Sequence, residues 1–191
     1  VFPADQVTWF SPEAEKDLFR RTIKATRFRN ANAHVMCNIA RARLSMPEAY
    51  TEARKWFASR ELPNGLFVWA GHGHATFMGE MIGIAGLIDE LLLQSVGNRI
   101  RVFPCWPAEK DARFAGLRAQ GGFTVAAEQK GGLVTRVEVA SEAGGTLRLL
   151  SPWPTIHVRR GSGPAELLTP DAAGIVTLET RPKDVLVFTK E

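Results

Sequence analysis

The chain has 191 residues, 45% of them hydrophobic and 23% charged, with a formal net charge of +4. That balance belongs to a folded chain of one or two domains with a real hydrophobic core, and it excludes a disordered tail. So small a positive charge, without RRM, KH or zinc-finger signatures or aromatics interleaved with a basic run, gives no reason to expect nucleic acid.

The opening VFPADQVTWF lacks a Met and the basic, apolar and small regions of a signal peptide. The expectation is a processed chain or a piece of something longer. SPEAEKDLF then reads as a helix start, with Ser11 as N-cap, Pro12 at the first helical position and acidic residues in the first turn. Lys16, Arg20, Lys24 and Arg27 fall at helical spacing along it. Such a row is either a solvated helix face or a surface for an anionic partner. A second helix is expected from about Ala31 to Leu44. In a third, PEAYTEARKWF, residues Ala49, Ala53, Trp56 and Phe57 share one face.

The fourth predicted helix runs from about Phe77 to Ser95. It is apolar on nearly all sides, through Met81, Ile82, Ile84, Leu87, Ile88, Leu91, Leu92 and Leu93. A helix of this kind is buried in a large α structure, which four helices would hardly provide. Asp89 and Glu90 interrupt the apolar run, so no membrane span is expected.

Near residue 98 the pattern changes from helical periodicity to strand alternation. RIRVF, GFTVAAEQ, LVTRVEV, TLRLL, TIHVRR, GIVTLET and DVLVFTK read as short strands, with Lys130-Gly131-Gly132 as a tight hairpin. Six to eight strands at this spacing suggest an antiparallel sandwich. The domain boundaries expected are therefore 1–98 and 99–191. No internal repeat or low-complexity segment is present.

Chemistry centres on GHGHATFMGE, Gly71 to Glu80. On a strand, His72 and His74 would point to one face. Zinc needs three or four ligands, no third ligand pattern is visible and HExxH is absent, so no metal and no cofactor are expected. Two readings stay open for this stretch: a loop whose histidines hydrogen-bond a polar ligand, and a purely structural loop. Trp69, beside it, is the best placed of the five tryptophans to stack on a sugar ring; core packing is the default for the others. Cys37 and Cys105 form neither a disulfide framework nor a metal motif. Reduced buried thiols are expected, with one bridge still open. No P-loop, Rossmann fingerprint or nucleophile elbow occurs.

Several stretches resemble the C-terminal part of glycoside hydrolase family 95, the α-L-fucosidase group built on an (α/α)6 barrel. VFPADQV is similar to a Val-Phe-Pro-x-Asp-Gln motif. NAHVMCNIARARL resembles a helix ending in Ala-Arg-Leu, without that helix's tryptophans. GIAGLIDELLLQS is similar to a helix ending Glu-Met-Leu-Leu-Gln-Ser, and RVFPCWPAE stands where a Leu-Leu-Pro-Ala-Leu-Pro segment would. FAGLRAQGGFTVAAEQKGGLVTRVEV resembles the segment entering the family's C-terminal β domain. The agreement in order covers residues 1 to about 150.

The resemblance implies an α+β chain: the last helices of an (α/α)6 toroid over 1–98, then a β-sandwich over 99–191. It implies glycoside hydrolysis by an inverting acid/base mechanism, a glycoside or oligosaccharide as substrate, and a secreted or periplasmic location. Where the family reads His-Pro-Pro-Phe-Gln-Ile-Asp-Gly-Asn, this chain reads HATFMGE. Aligned from the histidine, Glu80 takes the place of the aspartate base; aligned from the long helix, Gly79 does. Glu80 is then the candidate base, with His72, His74 and Trp69 as substrate-binding residues. An inverting pair sits roughly 6.5–9.5 Å apart. The general acid would lie upstream of Val1, so the implied partner is the upstream part of the same polypeptide and the chain alone is expected to be inactive. Two alternatives stand beside this: a non-catalytic carbohydrate-binding relative that has lost the base, and a free-standing structural module.

Overall fold

Helical periodicity gives way to alternation along the chain, and the architecture follows it. The computed structural model describes residues 1–27, 31–65 and 78–190; for residues 31, 32 and 78–81 it describes the backbone alone. The chain is α+β. Among the described residues, four helices come first: α1 (Glu13–Ala25), α2 (Ala31–Arg43), α3 (Glu48–Ala58) and α4 (Met78–Leu92). Ten strands follow: β1 (Leu93–Val96), β2 (Arg99–Val102), β3 (Ala112–Ala119), β4 (Phe123–Lys130), β5 (Leu133–Ser141), β6 (Gly145–Leu150), β7 (Ile156–Arg160), β8 (Ala165–Leu168), β9 (Ile175–Thr180) and β10 (Val185–Thr189). Two compact units result: Val1–Leu91 with Pro104–Trp106, and Leu92–Phe103 with Pro107–Glu191.

In the helical unit, two apolar clusters form. One joins Val35, Ile39 and Ala42 of α2 to Ala49 and Ala53 of α3, Leu87 and Leu91 of α4, and Cys105. The other gathers Val7, Ile23, Ala40, Leu44 and Met46. Gly83 lets α4 approach α2 closely, because a Cβ there would stand 2.9 Å from Val35 Cγ1. The N-cap of α1 is Pro12 and carries no side-chain cap, contrary to the expectation for Ser11. The Ser11 hydroxyl instead accepts the Thr8 N–H at 3.0 Å, so it is turned back into the preceding loop.

One ion cluster ties this unit together. Arg43, at the end of α2, donates through Nε and Nη2 to both carboxylate oxygens of Glu90 on α4, at 2.9 and 2.6 Å. Its Nη1 donates to Asp5 of the N-terminal turns. Burial opposes the charge on Arg43, but Glu90 and Asp5 more than offset it and its pKa is raised. The bidentate fork is the geometry in which a guanidinium holds a carboxylate most strongly.

The row Lys16, Arg20, Lys24 is largely paired within the unit. Lys16 meets Glu13 at 2.6 Å and Lys24 meets Glu48 at 3.7 Å. Arg20 bonds Asp17 at 2.8 Å and the Leu44 carbonyl at 2.9 Å. This favours the solvated, internally paired face over a free basic surface.

The fourth helix stops earlier than its apolar run suggests. It ends at Leu92, and Leu93–Val96 pair antiparallel with Arg99–Val102 across Gly97-Asn98, whose φ values of 58° and 56° suit a tight hairpin. In the strand unit the order is β1-β2-β6-β9 in a four-stranded sheet and β3-β4-β5-β10-β7-β8 in a six-stranded one. Every pairing is antiparallel except β2 with β6. Alternation puts one face of the larger sheet in the core. Phe114, Ala127, Val137, Phe188 and Val158 form a continuous row across five neighbouring strands, and all five are buried. In the smaller sheet, Ile100, Leu149 and Val176 do the same.

Arg43→Met leaves Glu90 and Asp5 without their counter-charge in a partly buried place. It is expected to lower stability by about 2–4 kcal/mol in urea unfolding followed by the helical circular-dichroism signal. Adding Glu90→Met should recover part of that loss; an unchanged midpoint for Arg43→Met would show that the cluster contributes nothing net.

Candidate functional site

Trp69, His72 and His74 lie outside the described residues, as does most of the GHGHATFMGE stretch. Residue 80 is described in its backbone and is the third residue of α4.

What the described residues do bring together is a polar cluster on α2 and the end of α3. His34, Asn38 and Arg41 follow one another at i, i+4 and i+7 and so share a face of α2. The His34 ring stacks on Trp56 of α3, with centroids 4.5 Å apart and planes at 23°. Arg60 stands over the same Trp56, 5.8 Å from its ring centre. Asn38 is fully buried. Its Oδ1 accepts from Arg41 Nη1 at 2.7 Å, while its Nδ2 finds no acceptor among the described residues. An unmet buried donor costs about 1–3 kcal/mol, so it marks a position that packing alone does not favour.

Burial lowers the His34 pKa from its usual 6.5; Arg41 and Arg60 push the same way, and Glu52 opposes them. His34 is therefore neutral at pH 7. The stability it contributes is present above the unfolded value of 6.5 and is lost as the pH falls below it, because the unfolded chain takes up the proton first. The sequence carried a signal for this cluster in the spacing of residues 34, 38 and 41, but a lone helical histidine gave no hint of a stacking partner.

The cysteines are free. Cys105 is buried, and its thiol faces the carbonyls of Ala42 at 3.4 Å and Met46 at 3.7 Å. Burial raises the pKa of the Cys37 thiol, with Arg41 opposing, so it is not primed as a nucleophile. Trp153 is buried, its indole N–H donating to the Val134 carbonyl at 2.9 Å. Trp106 packs edge-on against Tyr50. Among the described residues no group of three His, Cys, Asp or Glu is placed to hold a metal ion, and no helix is long and apolar enough to cross a membrane.

Compared with known proteins, the chain matches no family model and no curated protein.

The Hε1 proton of His34 is expected to titrate in NMR spectra with a midpoint below 6.5, and Arg60→Gln should move that midpoint upward. A midpoint at or above 6.5 would mean that the stack on Trp56 does not shield the imidazole from water.

Proposed function

We propose that the chain is the C-terminal part of a glycoside hydrolase of the family 95, α-L-fucosidase-like type. In this reading residues 1–98 are closing helices of an (α/α)6 toroid and 99–191 a β-sandwich. The upstream part of the same polypeptide is its partner, and a glycoside or oligosaccharide its substrate.

One observation carries the reading. Asp5, Arg43 and Glu90 come from three separate stretches that resemble the family, VFPADQV, NAHVMCNIARARL and GIAGLIDELLLQS, and they meet in one ion cluster. Stretches so far apart in sequence gain a common reason for their shared residues if one packing arrangement requires all three. The exposed Ile82 of α4 adds to this. So does an open apolar hollow beside Gly83 and Gly86, lined also by Phe2, Met36 and Ile39. Small residues there leave room for a neighbouring helix at close range.

In the proposed mechanism Glu80 is the base. It takes a proton from a water on the face of the sugar opposite the leaving group, and the water oxygen bonds to the anomeric carbon. The glycosidic C–O bond breaks as a carboxylic acid from the upstream part protonates the leaving oxygen, and the product carries inverted configuration. A carboxylate in the first turn of a helix is held in its ionised form by the helix dipole, which suits a base. His72 and His74 would bond sugar hydroxyls, and Trp69 would stack on the ring.

A second reading, a carbohydrate-binding relative without catalysis, has its own observation. The stretch HATFMGE lacks the family's Asp-Gly-Asn, and the two alignments through it put different residues in the base position.

Turnover of an aryl α-L-fucoside by the native full-length protein decides between them. The hydrolase reading expects turnover, with Glu80→Gln lowering kcat by about 10²–10⁴. Turnover that survives Glu80→Gln removes Glu80 as the base. Saturable fucoside binding with no turnover favours the second reading.

A further inference from the structure

On a different flank from Gly83 and Gly86, α4 borders a second hollow, of about 330 Å³. Its wall is aromatic: Tyr50 and Phe57 from α3, and Trp106, which meets Tyr50 edge-on at 5.4 Å. Its aliphatic side is Ile84, Ile88 and Leu91 of α4. Ligand sites of small molecules start near 300 Å³, with mostly apolar and aromatic lining and a few polar groups. A cavity of about 150 Å³ lined this way takes benzene, so this one suits a body of two fused rings or a compact branched chain.

Arg54 is the one charged side chain among the residues lining it. It is exposed, it makes no ion pair among the described residues, and it follows Ala53, which is buried and also lines the hollow. A guanidinium offers donors and no acceptor, so the group it takes is an acceptor-only anion, best a planar carboxylate. The α3–α4 flank thus combines an apolar hollow with one exposed guanidinium among its lining residues.

We infer that the hollow formed by Tyr50, Phe57, Trp106, Ile84 and Leu91, with Arg54 at its edge, is a binding site for a small apolar monocarboxylate. The inference uses none of Glu80, His72, His74 and Trp69, on which the glycosidase mechanism rests. Arg54 sets the charge preference and the aromatic wall sets the size.

The test uses 2-naphthoate as the probe, titrated into the full chain by isothermal calorimetry. One site per chain is expected, with the uncharged 2-naphthylmethanol at least tenfold weaker. Arg54→Gln should bring naphthoate to the level of the alcohol. Ile88→Glu, at a position 45% exposed and so tolerant of a polar side chain, should abolish naphthoate binding by placing a like charge in the lining. Equal affinity for acid and alcohol overturns the inference, and so does binding indifferent to both substitutions. A light-scattering mass of two copies that falls to one with Ile88→Glu also overturns it, because the hollow is then filled by a second chain. None of these outcomes depends on fucoside turnover.

Discussion

The helical unit hangs on the grip of Arg43 on Glu90 and Asp5. Taking a guanidinium largely out of water is costly, and only good geometry with well-placed carboxylates repays it. Here the fork is bidentate to Glu90 and is completed by Asp5. The Phe2 ring lies 5.4 Å from the guanidinium carbon and shields it further. Apolar packing between α2, α3 and α4 supplies most of the adhesion, but it is tolerant of sliding. The ion cluster is not, because a shift of one helical turn would leave three charges unmet. It therefore fixes which turn of α4 faces which turn of α2, and Gly83 can then sit against Val35 at a distance no larger residue would permit.

In the strand unit the fixing device is different. There the register is set by rows of apolar side chains, and a slip of one residue would turn Val137, Val139, Leu186 and Phe188 to the opposite face. Polar groups help at the margins. The Ser141 hydroxyl meets that of Thr180 at 2.8 Å, and Thr180 donates to the Gly145 carbonyl at 2.7 Å, so β5, β6 and β9 are linked where alternation runs out. Gly144 turns there with φ 76°, and a side chain would meet Pro182 at 2.8 Å.

How far the sequence could be read depended on how cleanly one periodicity held. The helices α2 and α3 and the strands β4, β5, β6, β7, β9 and β10 follow plain patterns, and each was legible. Strand β3 was not, because its register shifts between Phe114 and Leu117 around Gly116, which has φ 78°. Strand β8 has mostly exposed residues and pairs with β7 alone, so Ala165–Leu168 carry no alternation to notice. β1 was hidden inside an apolar run, where Leu93 continues the helix pattern until the Gly97-Asn98 turn draws it into a hairpin. Charges were legible as residue types but not as pairs: nothing local announces that Asp5, Arg43 and Glu90 belong together. The candidate base came from resemblance, His72, His74 and Trp69 from residue type and position with resemblance added, and the His34–Trp56 stack from neither pattern nor resemblance.

The α4 helix joins these threads. Glu90 anchors its last turns, while residue 80 stands in its first turn, ten residues and about 15 Å away along the axis. Its two flanks differ in kind: glycines at 83 and 86 on one, Ile84, Ile88 and Leu91 on the other. A helix apolar all round that is held by charge at one end has its rotation set by that end. The placement of the backbone in the first turn of α4 is then a consequence of the Arg43 fork. The first and last turns of α4 are thus coupled through the helix itself, because one continuous run of backbone hydrogen bonds joins them.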